Sequence, residues 1–238
     1  MISLERCIVL QAVKYGDNSL IIRCLCSDGI KSFFIASYLK NKKNQYPFLS
    51  FPLSIVECQY LVSAKSKLPK VKSLSLDFVS RHGTYDFRRQ AILTFMAECA
   101  LKYIKEESMN SDLFNFMEES IRFVNDSNYL NAAYPIQFGF GLASLLGFGI
   151  NNSYNAEQNL NFTISKGFVS DAVNISLSHD ESAALYKLTS TPVNENIETD
   201  IPSHSLRNIF YVMLQYFRYH FPETSQLKSP EILHLLME

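Results

Sequence analysis

The chain has 238 residues, enough for one large or two small domains, and 47% of them are hydrophobic, so it can bury a core. Its eight glycines and eight prolines exclude a fibrous or disordered chain, and no apolar run reaches the roughly 18 residues that a membrane span needs. Residues 1–80 hold eleven Lys and Arg against five Asp and Glu, whereas residues 81–238 hold eleven against eighteen. A basic part beside an acidic part indicates a nucleic-acid-binding face on a carrier, with accidental drift of surface charge as the alternative.

The N-terminus does not have the pattern of a signal peptide, because charged residues interrupt its apolar residues at once. The five cysteines are an odd number without a CxxC pair, which suits a reducing compartment and predicts no zinc knuckle. We therefore expect a cytoplasmic, nucleoid-associated protein. Cys24 and Cys26 point the same way on one predicted strand, and we interpret them as small core residues.

The first eighty residues contain apolar, β-branched runs separated by turn signals. Five strands are predicted, at Cys7–Val13, Ser19–Cys26, Ile30–Ser37, Leu53–Val62 and Val71–Phe78. Turns are predicted at Lys14–Asn18 and Ser27–Gly29. Five strands without a helical period predict a small closed β-barrel of the OB-fold type, whose loops bind oligonucleotides.

Lysines concentrate in two connections of this predicted barrel. We predict that they contact phosphates, with Arg23 and Lys31 assisting from the strands. The predicted DNA-binding residues are Arg23, Lys31, Lys40, Lys42, Lys43, Lys65, Lys67, Lys70 and Lys72. Tyr38, Tyr46 and Tyr60 either stack on bases or pack in the barrel core. The simpler alternative is that the lysines are solvating and keep a sheet edge soluble.

After residue 80 the apolar period becomes that of helices. Helices are predicted at Asp86–Lys105, Leu113–Val124, Tyr129–Phe148, Asp180–Leu188, Ser203–Phe221 and Ile232–Met237. A minimal hairpin is predicted at Phe162–Val169, and Gly139 in the third helix indicates a bend or a closely packed neighbouring backbone. The predicted fold class is α+β, with a five-stranded OB-fold barrel over residues 1–80. A larger, mainly helical domain follows over residues 81–238, with a loop and hairpin at 151–175.

The helix that begins at Ser203 carries two arginines, Arg207 and Arg218, separated by three helical turns, so they share one face. Tyr211 and Leu214 lie between them along that side. A cationic rim with an apolar floor fits an acidic, apolar peptide. The alternative is that the arginines only solvate the outer edge of the helix.

The sequence contains no recognisable motif of a catalytic site, neither a phosphate-binding loop nor a nucleophile elbow nor a metalloprotease helix. The five histidines are scattered without metal-ligand spacing. We therefore expect no enzyme activity, no cofactor and no metal. A hydrolytic enzyme with an unfamiliar active site is an alternative interpretation of the chain.

A series of short motifs, taken in order, resembles the RecO family of bacterial recombination mediators. The motifs are Tyr15–Leu20, Asp28–Lys31, Leu49–Pro52, Leu145–Gly149, Ser165–Phe168 and Leu227–Ser229. The resemblance implies an N-terminal OB-fold, a helical C-terminal domain and no catalytic site. It also implies binding of single- and double-stranded DNA, annealing of complementary strands, and loading of RecA, together with RecR, onto strands coated by single-strand-binding protein.

The resemblance further implies that the helical domain contacts the acidic, apolar C-terminal tail of single-strand-binding protein, and the Leu-Lys-Ser match carries Lys228 into that contact. Two departures qualify this. Residues 151–161 contain no cysteine, so the zinc module of many members is absent. Ile136–Phe138 stands where some members have Arg-Arg-Phe, so one tail-binding arginine is missing. The rival interpretation is a helical adaptor for protein docking.

Overall fold

The structure is a computed structural model, and it divides into two compact units, residues 1–125 and 126–238. It describes residues 2–38, 46–62, 68–79, 86–105, 111–151, 154–155, 158, 160–170, 174–195, 197 and 201–234. The unit boundary lies at the last residue of the second helix. The predicted division at residue 80, which separates strands from helices, stays a prediction about domains.

Five strands in the first unit form a closed barrel, in the order β1-β2-β3-β5-β4. They are β1 (Ile2–Tyr15), β2 (Ser19–Cys26), β3 (Gly29–Ile35), β4 (Ile55–Leu61) and β5 (Lys70–Phe78). All neighbours are antiparallel except β3 and β5, which pair in parallel through Phe34 and Lys70. The prediction of five strands in this part of the chain is confirmed.

The barrel core follows from alternation along these strands, because successive side chains of a strand point to opposite faces. The interior holds aliphatic, aromatic and cysteine side chains. The tight turn between β1 and β2 contains Gly16 at φ 60°, a conformation that a residue with a Cβ adopts at a cost. The predicted turn at residues 14–18 is therefore present, although β1 runs two residues into it and begins five residues before the predicted strand.

Leu53 is a correction to the predicted fourth strand, which was expected to begin there. Its φ is 59°, in the left-handed region that a strand residue does not occupy. The N–H of Leu53 donates to the carbonyl of Val9 at 3.1 Å, and Leu53 itself is buried. The chain therefore turns onto the barrel at Leu53, and β4 begins at Ile55.

Two helices complete the first unit, α1 (Phe87–Tyr103) and α2 (Ser111–Asp126). Asp86 caps α1, since its carboxylate accepts the N–H of Arg89 at 3.1 Å. The buried guanidinium of Arg89 donates to the carbonyls of Val124 and Asn125, the latter at 3.0 Å. This bond ties α1 to the C-terminal end of α2, whose carbonyls have no partner within the helix.

The second unit contains a two-stranded sheet, β6 (Asn161–Thr163) and β7 (Gly167–Val169), and four helices. The helices are α3 (Tyr134–Ala143), α4 (His179–Ser190), α5 (Ser203–His220) and α6 (Pro230–His234). The hairpin and these helices were predicted. The third helix begins at Tyr134 rather than Tyr129, because Pro135 in its first turn has the fixed φ of a helix start. A π-helical turn, Ser144–Phe148, follows α3 and contains Gly147 at φ 87°.

Gly139 allows α5 to lie directly against α3. A Cβ built at Gly139 would lie 2.2 Å from the sulfur of Met213, which is fully buried. The prediction that another element packs closely at this glycine is confirmed. Across the described residues, none of the helices is both long enough and apolar enough to traverse a bilayer.

Candidate nucleic-acid interface

The structure describes four of the nine predicted DNA-binding cations, namely Arg23, Lys31, Lys70 and Lys72. The other five lie outside the described residues. They are Lys40, Lys42, Lys43, Lys65 and Lys67. These five lysines belong to two segments, residues 39–45 and 63–67. The described part of the candidate interface therefore consists of the barrel strands on either side of those segments.

Lys31 on β3 is engaged by two carboxylates. Its ammonium lies 2.9 Å from Glu5 and 2.8 Å from Asp28. Burial opposes the charged form of Lys31, but hydrogen bonds to Asp28 and Glu5 outweigh it and raise the pKa of the ammonium above its ordinary value. Lys31 is therefore protonated and held by acids, and a phosphate would have to compete with them.

Lys70 and Lys72 lie exposed at the start of β5. The register between β4 and β5 shifts between Gln59 and Tyr60, which leaves Lys72 as the extra residue of a bulge in β5. Within the part of the chain that the structure describes, neither lysine forms an ion pair. Both ammonium groups are thus available to an anion.

An aromatic pair lies beside these lysines on the outside of the barrel. The rings of Tyr15 and Phe34 meet edge to face, with centroids 6.0 Å apart, and Tyr15 is 59% exposed. Val13 of β1, Ile21 of β2 and Phe34 of β3 are in register, and Phe34 is paired in turn with Lys70. Arg23 is two residues beyond Ile21 on the same face of β2. We call this surface the barrel platform; it consists of Val13, Tyr15, Ile21, Arg23, Phe34 and Lys70.

The tyrosines that the sequence offered for base stacking lie elsewhere. Tyr46 and Tyr60 are buried in the barrel core, where Tyr60 packs on Phe33 at 4.9 Å and donates its hydroxyl to Glu5 at 3.1 Å. Tyr38 is partly buried against the same core. Their burial favours the alternative that they are core residues.

The platform aromatics were missed although the sequence contained a signal for them. Phe33 and Phe34 are adjacent on one strand, so only one of them can face the barrel interior. Phe33 is fully buried and Phe34 faces outward. Tyr15 lies on the same strand face as Val13. Strict alternation from the buried Val9 would place both side chains inside the barrel, but β1 has a bulge between Val9 and Gln11, which turns them outward.

The candidate peptide-binding face lies on α5 in the second unit. The helix is continuous from Ser203 to His220, so Arg207 and Arg218 share a side as predicted. Tyr211 is 59% exposed, and Leu214 is half-buried beside it. The fifth predicted residue, Lys228, lies outside this helix, exposed in the segment before α6. The structure thus brings four of the five residues onto one face.

The segment Ile136–Phe138 is internal to the second unit. Ile136 and Phe138 are fully buried, and the buried amide of Gln137 donates to the carbonyls of Thr191 at 3.1 Å and Pro192 at 2.5 Å. Gln137 therefore holds the end of α4 against α3. This side chain has a structural role at the position where the resemblance offered an arginine.

Comparisons with known proteins find similar sequences along almost the whole chain. The family described as "Recombination protein O C terminal" matches residues 84–231. A DNA repair protein RecO of Flavobacterium psychrophilum is 28% identical over 233 residues, which cover 96% of each chain. A DNA repair protein RecO of Phocaeicola vulgatus is 25% identical, covering 95% of each chain, and one of Azobacteroides pseudotrichonymphae is 26% identical over the whole of both. Since the family match alone spans more than half of its residues, the chain belongs to the RecO family of DNA repair proteins.

Proposed function

We propose that this RecO protein is a recombination mediator that binds single- and double-stranded DNA through its barrel and anneals complementary strands. The observation that carries the proposal is the barrel platform, where Tyr15 and Phe34 lie beside Lys70 on an exposed face. Proteins that bind single strands combine a cationic track for the backbone with aromatic rings on which bases stack.

The strand order supports an OB-fold assignment for this barrel. A five-stranded barrel in the order β1-β2-β3-β5-β4, with β3 and β5 parallel, has the Greek-key connectivity of that fold. OB-folds bind oligonucleotides on the face of strands 2 and 3. Ile21, Arg23 and Phe34 of the barrel platform belong to these two strands.

In this mechanism, lysines at the start of β5 and in the two lysine-rich connections neutralise phosphates. Lys70 belongs to the platform and Lys72 follows it on β5, so a DNA strand whose backbone follows these lysines presents its bases toward the platform aromatics. Neutralised strands repel each other less, and their remaining bases stay free to pair. Annealing then requires no bond making or breaking by the protein, which acts without catalysis and without a cofactor.

The proposed protein partners act with the DNA. RecR joins the chain to load RecA onto strands coated by single-strand-binding protein, and the tail of that coating protein docks on the second unit. Arg207 and Arg218 would attract the acidic tail, while Tyr211 and Leu214 accept its apolar residues.

The experiment that tests DNA binding is a titration of a labelled dT oligonucleotide at several salt concentrations. The logarithm of affinity should fall linearly with the logarithm of salt, with a slope of about −0.7 for each phosphate contact. Replacing Lys42, Lys43, Lys67 and Lys70 by Glu should abolish binding while the far-ultraviolet circular dichroism spectrum is kept. Unchanged binding by this folded variant would end the proposal.

The second candidate function is a protein-docking adaptor, which the exposed face of α5 favours. In that case the barrel lysines only solvate the surface. A pull-down with the tail peptide of single-strand-binding protein separates the two functions when it is combined with the dT titration. Peptide binding without DNA binding favours the adaptor, and Arg207→Glu together with Arg218→Glu should then remove the peptide signal.

A further inference from the structure

Four of the five cysteines meet inside the barrel, where they come from three strands, β1, β2 and β4. Cys7, Cys24, Cys26 and Cys58 are all fully buried free thiols. The Sγ atoms of Cys26 and Cys7 are 3.4 Å apart, and Cys24 and Cys58 belong to the same core cluster. The strand register creates this cluster, because Ile8 of β1 pairs with Leu25 of β2 and so brings their neighbours Cys7 and Cys26 together.

A carboxylate joins the thiols at this end of the barrel. The ligand atoms of Glu5, Cys7 and Cys26 all lie within 4.8 Å of one another. Small core residues account for the cysteines, but a core does not need a carboxylate beside them, since burying one costs free energy unless it is paired. Lys31 donates to both oxygens of Glu5, each at 2.9 Å, and Tyr60 donates to one of them at 3.1 Å.

We propose that Glu5, Cys7 and Cys26 form a binding site for a thiophilic divalent cation of the zinc class, which joins strands β1 and β2. Zinc binds sulfur at about 2.3 Å and carboxylate oxygen at about 2.0–2.2 Å, so two sulfurs that share a tetrahedral ion are about 3.8 Å apart. The present separation of 3.4 Å requires only a small displacement of the two side chains.

The charges of the site balance when such an ion is bound. Cys7 and Cys26 each release a proton to water and bind as thiolates, and Glu5 binds as the carboxylate that it already is. Three negative ligands around a divalent cation leave one negative charge, which the ammonium of Lys31 compensates. Lys31 and Tyr60 then orient the Glu5 carboxylate as outer-shell partners, as is usual at protein metal sites.

The carboxylate is the part of the site nearest to solvent, because the Glu5 side chain is 13% exposed whereas Cys7 and Cys26 are fully buried. Asp28, in the turn between β2 and β3, is exposed and lies 2.8 Å from Lys31. It can retain the ammonium when the cation takes a Glu5 oxygen. No ligand spacing in the sequence reveals this site, because Glu5 and Cys7 lie on one strand and Cys26 on the next, and only the register of the two strands brings them together. The site is also separate from residues 151–161, where the zinc module of other family members was expected to be absent.

The test uses the full-length chain, purified under reducing conditions without a histidine tag. Titration with Co²⁺ should produce thiolate-to-metal charge-transfer absorption that saturates at one equivalent, and Zn²⁺ should displace it and raise the melting temperature. The Cys26→Ser variant should lose the charge-transfer signal at least tenfold in intensity at equal cobalt. Cys99→Ser, which changes a buried cysteine of α1 outside the cluster, should behave as the parent does.

Because a buried serine can disturb folding, Glu5→Gln provides a second variant at a half-buried position. It should weaken cobalt binding at least tenfold while the thiolate absorption persists at saturation, since both sulfurs remain. The absence of thiolate absorption in the parent chain overturns the proposal. The same holds if folded Cys26→Ser or Glu5→Gln binds cobalt as tightly as the Cys99→Ser control does.

Discussion

The two ends of strand β5 differ in whether their charged side chains are paired. At its start, Lys70 and Lys72 are exposed beside the aromatic rings of the barrel platform. At its end, Asp77 binds Arg6, with Nη2 2.6 Å from the carboxylate, and Arg6 also binds Glu118 of α2. Both ends carry exposed cations, but only those of the first end have no acid paired with them among the described residues. The difference between the two ends is therefore one of pairing, and the unpaired cations are the ones that we propose to bind DNA.

The end of β5 that contains Asp77 is a structural connection. Arg6 donates to two carboxylates from two elements and lies 5.7 Å from the ring of Phe114. Arg122 binds Glu118 at 2.8 Å and lies over the ring of Phe78 at 4.7 Å. The planar guanidinium suits such forked contacts better than an ammonium does. We call Arg6, Asp77, Glu118 and Arg122 the arginine network, and it joins the barrel to α2.

Reversing the charge of Lys70 and Lys72 together should have the largest effect on DNA binding. Each lost charge-assisted contact is worth about 1.5 kcal/mol, or about tenfold in affinity. The variant Lys70→Glu/Lys72→Glu should therefore bind a dT oligonucleotide about 100-fold more weakly than the parent does. Its salt slope should become shallower by about 1.4, because two phosphate contacts are lost. Fluorescence anisotropy at several salt concentrations measures both quantities.

The matched control for that variant is Lys105→Glu/Lys166→Glu, which makes the same change in net charge at two exposed lysines that do not belong to the platform. It should bind DNA within about twofold of the parent, because it keeps both lysines at the start of β5. Equal weakening by both variants would mean that total charge, and not the start of β5, determines binding.

Removing the ring of Phe34 should weaken single-strand binding without changing duplex binding. Stacking of a base on an aromatic side chain is worth about 1–3 kcal/mol, so Phe34→Leu should lose about tenfold in affinity for dT. A duplex keeps its bases stacked on one another and gains nothing from the ring. Parallel titrations with single- and double-stranded oligonucleotides of equal length reveal the difference.

Tyr15 offers an internal control for stacking. Tyr15→Phe keeps the ring and should keep single-strand affinity, whereas Tyr15→Leu should lose about as much as Phe34→Leu does. If both Tyr15 variants bind single strands as tightly as the parent does, the aromatic pair has no part in binding. The charge reversals test the lysines of β5 independently of that result.

Most of the secondary structure could be predicted from local pattern. Alternation and turn residues located the five barrel strands, and helical periodicity located α5 to within one residue at its end. The exceptions have local physical causes that no pattern reveals. Leu53 leaves the strand region because its N–H bonds to Val9, 44 positions earlier in the chain, and α3 starts late because of Pro135.

The candidate site was less predictable, because it depends on register between strands. Lysine density indicated the start of β5, yet nothing in the sequence pairs Phe34 with Tyr15 or with Lys70. The count of basic residues in positions 1–80 also includes Arg6 and Lys31. The structure shows that both are neutralised by acids, and for Arg6 one of those acids is 112 residues away.

Breaking the arginine network should change stability and leave DNA binding unaltered. Arg6 and Asp77 are each more than one third exposed, so solvent screens much of their attraction. We expect Arg6→Gln to lower the free energy of unfolding by about 1 kcal/mol. Urea denaturation followed by circular dichroism measures this loss. A loss of dT affinity in the folded variant would contradict the assignment of separate roles to the two ends of β5.

The smallest expected effect is the pH dependence that Glu118 gives to stability. The hydrogen bond from Arg6 lowers the pKa of the Glu118 carboxyl below its ordinary value; burial opposes this, and a bond from Arg122 adds to it. A carboxyl whose pKa is lower in the folded state stabilises the fold above its ordinary pKa, and this contribution disappears as the pH falls through the folded-state value. Glu118→Gln lacks the contribution at every pH. Its unfolding free energy should therefore lie below that of the parent at neutral pH and converge with it in acid, whereas parallel curves over the whole acid range would show that the arginine network contributes no charge-dependent stability.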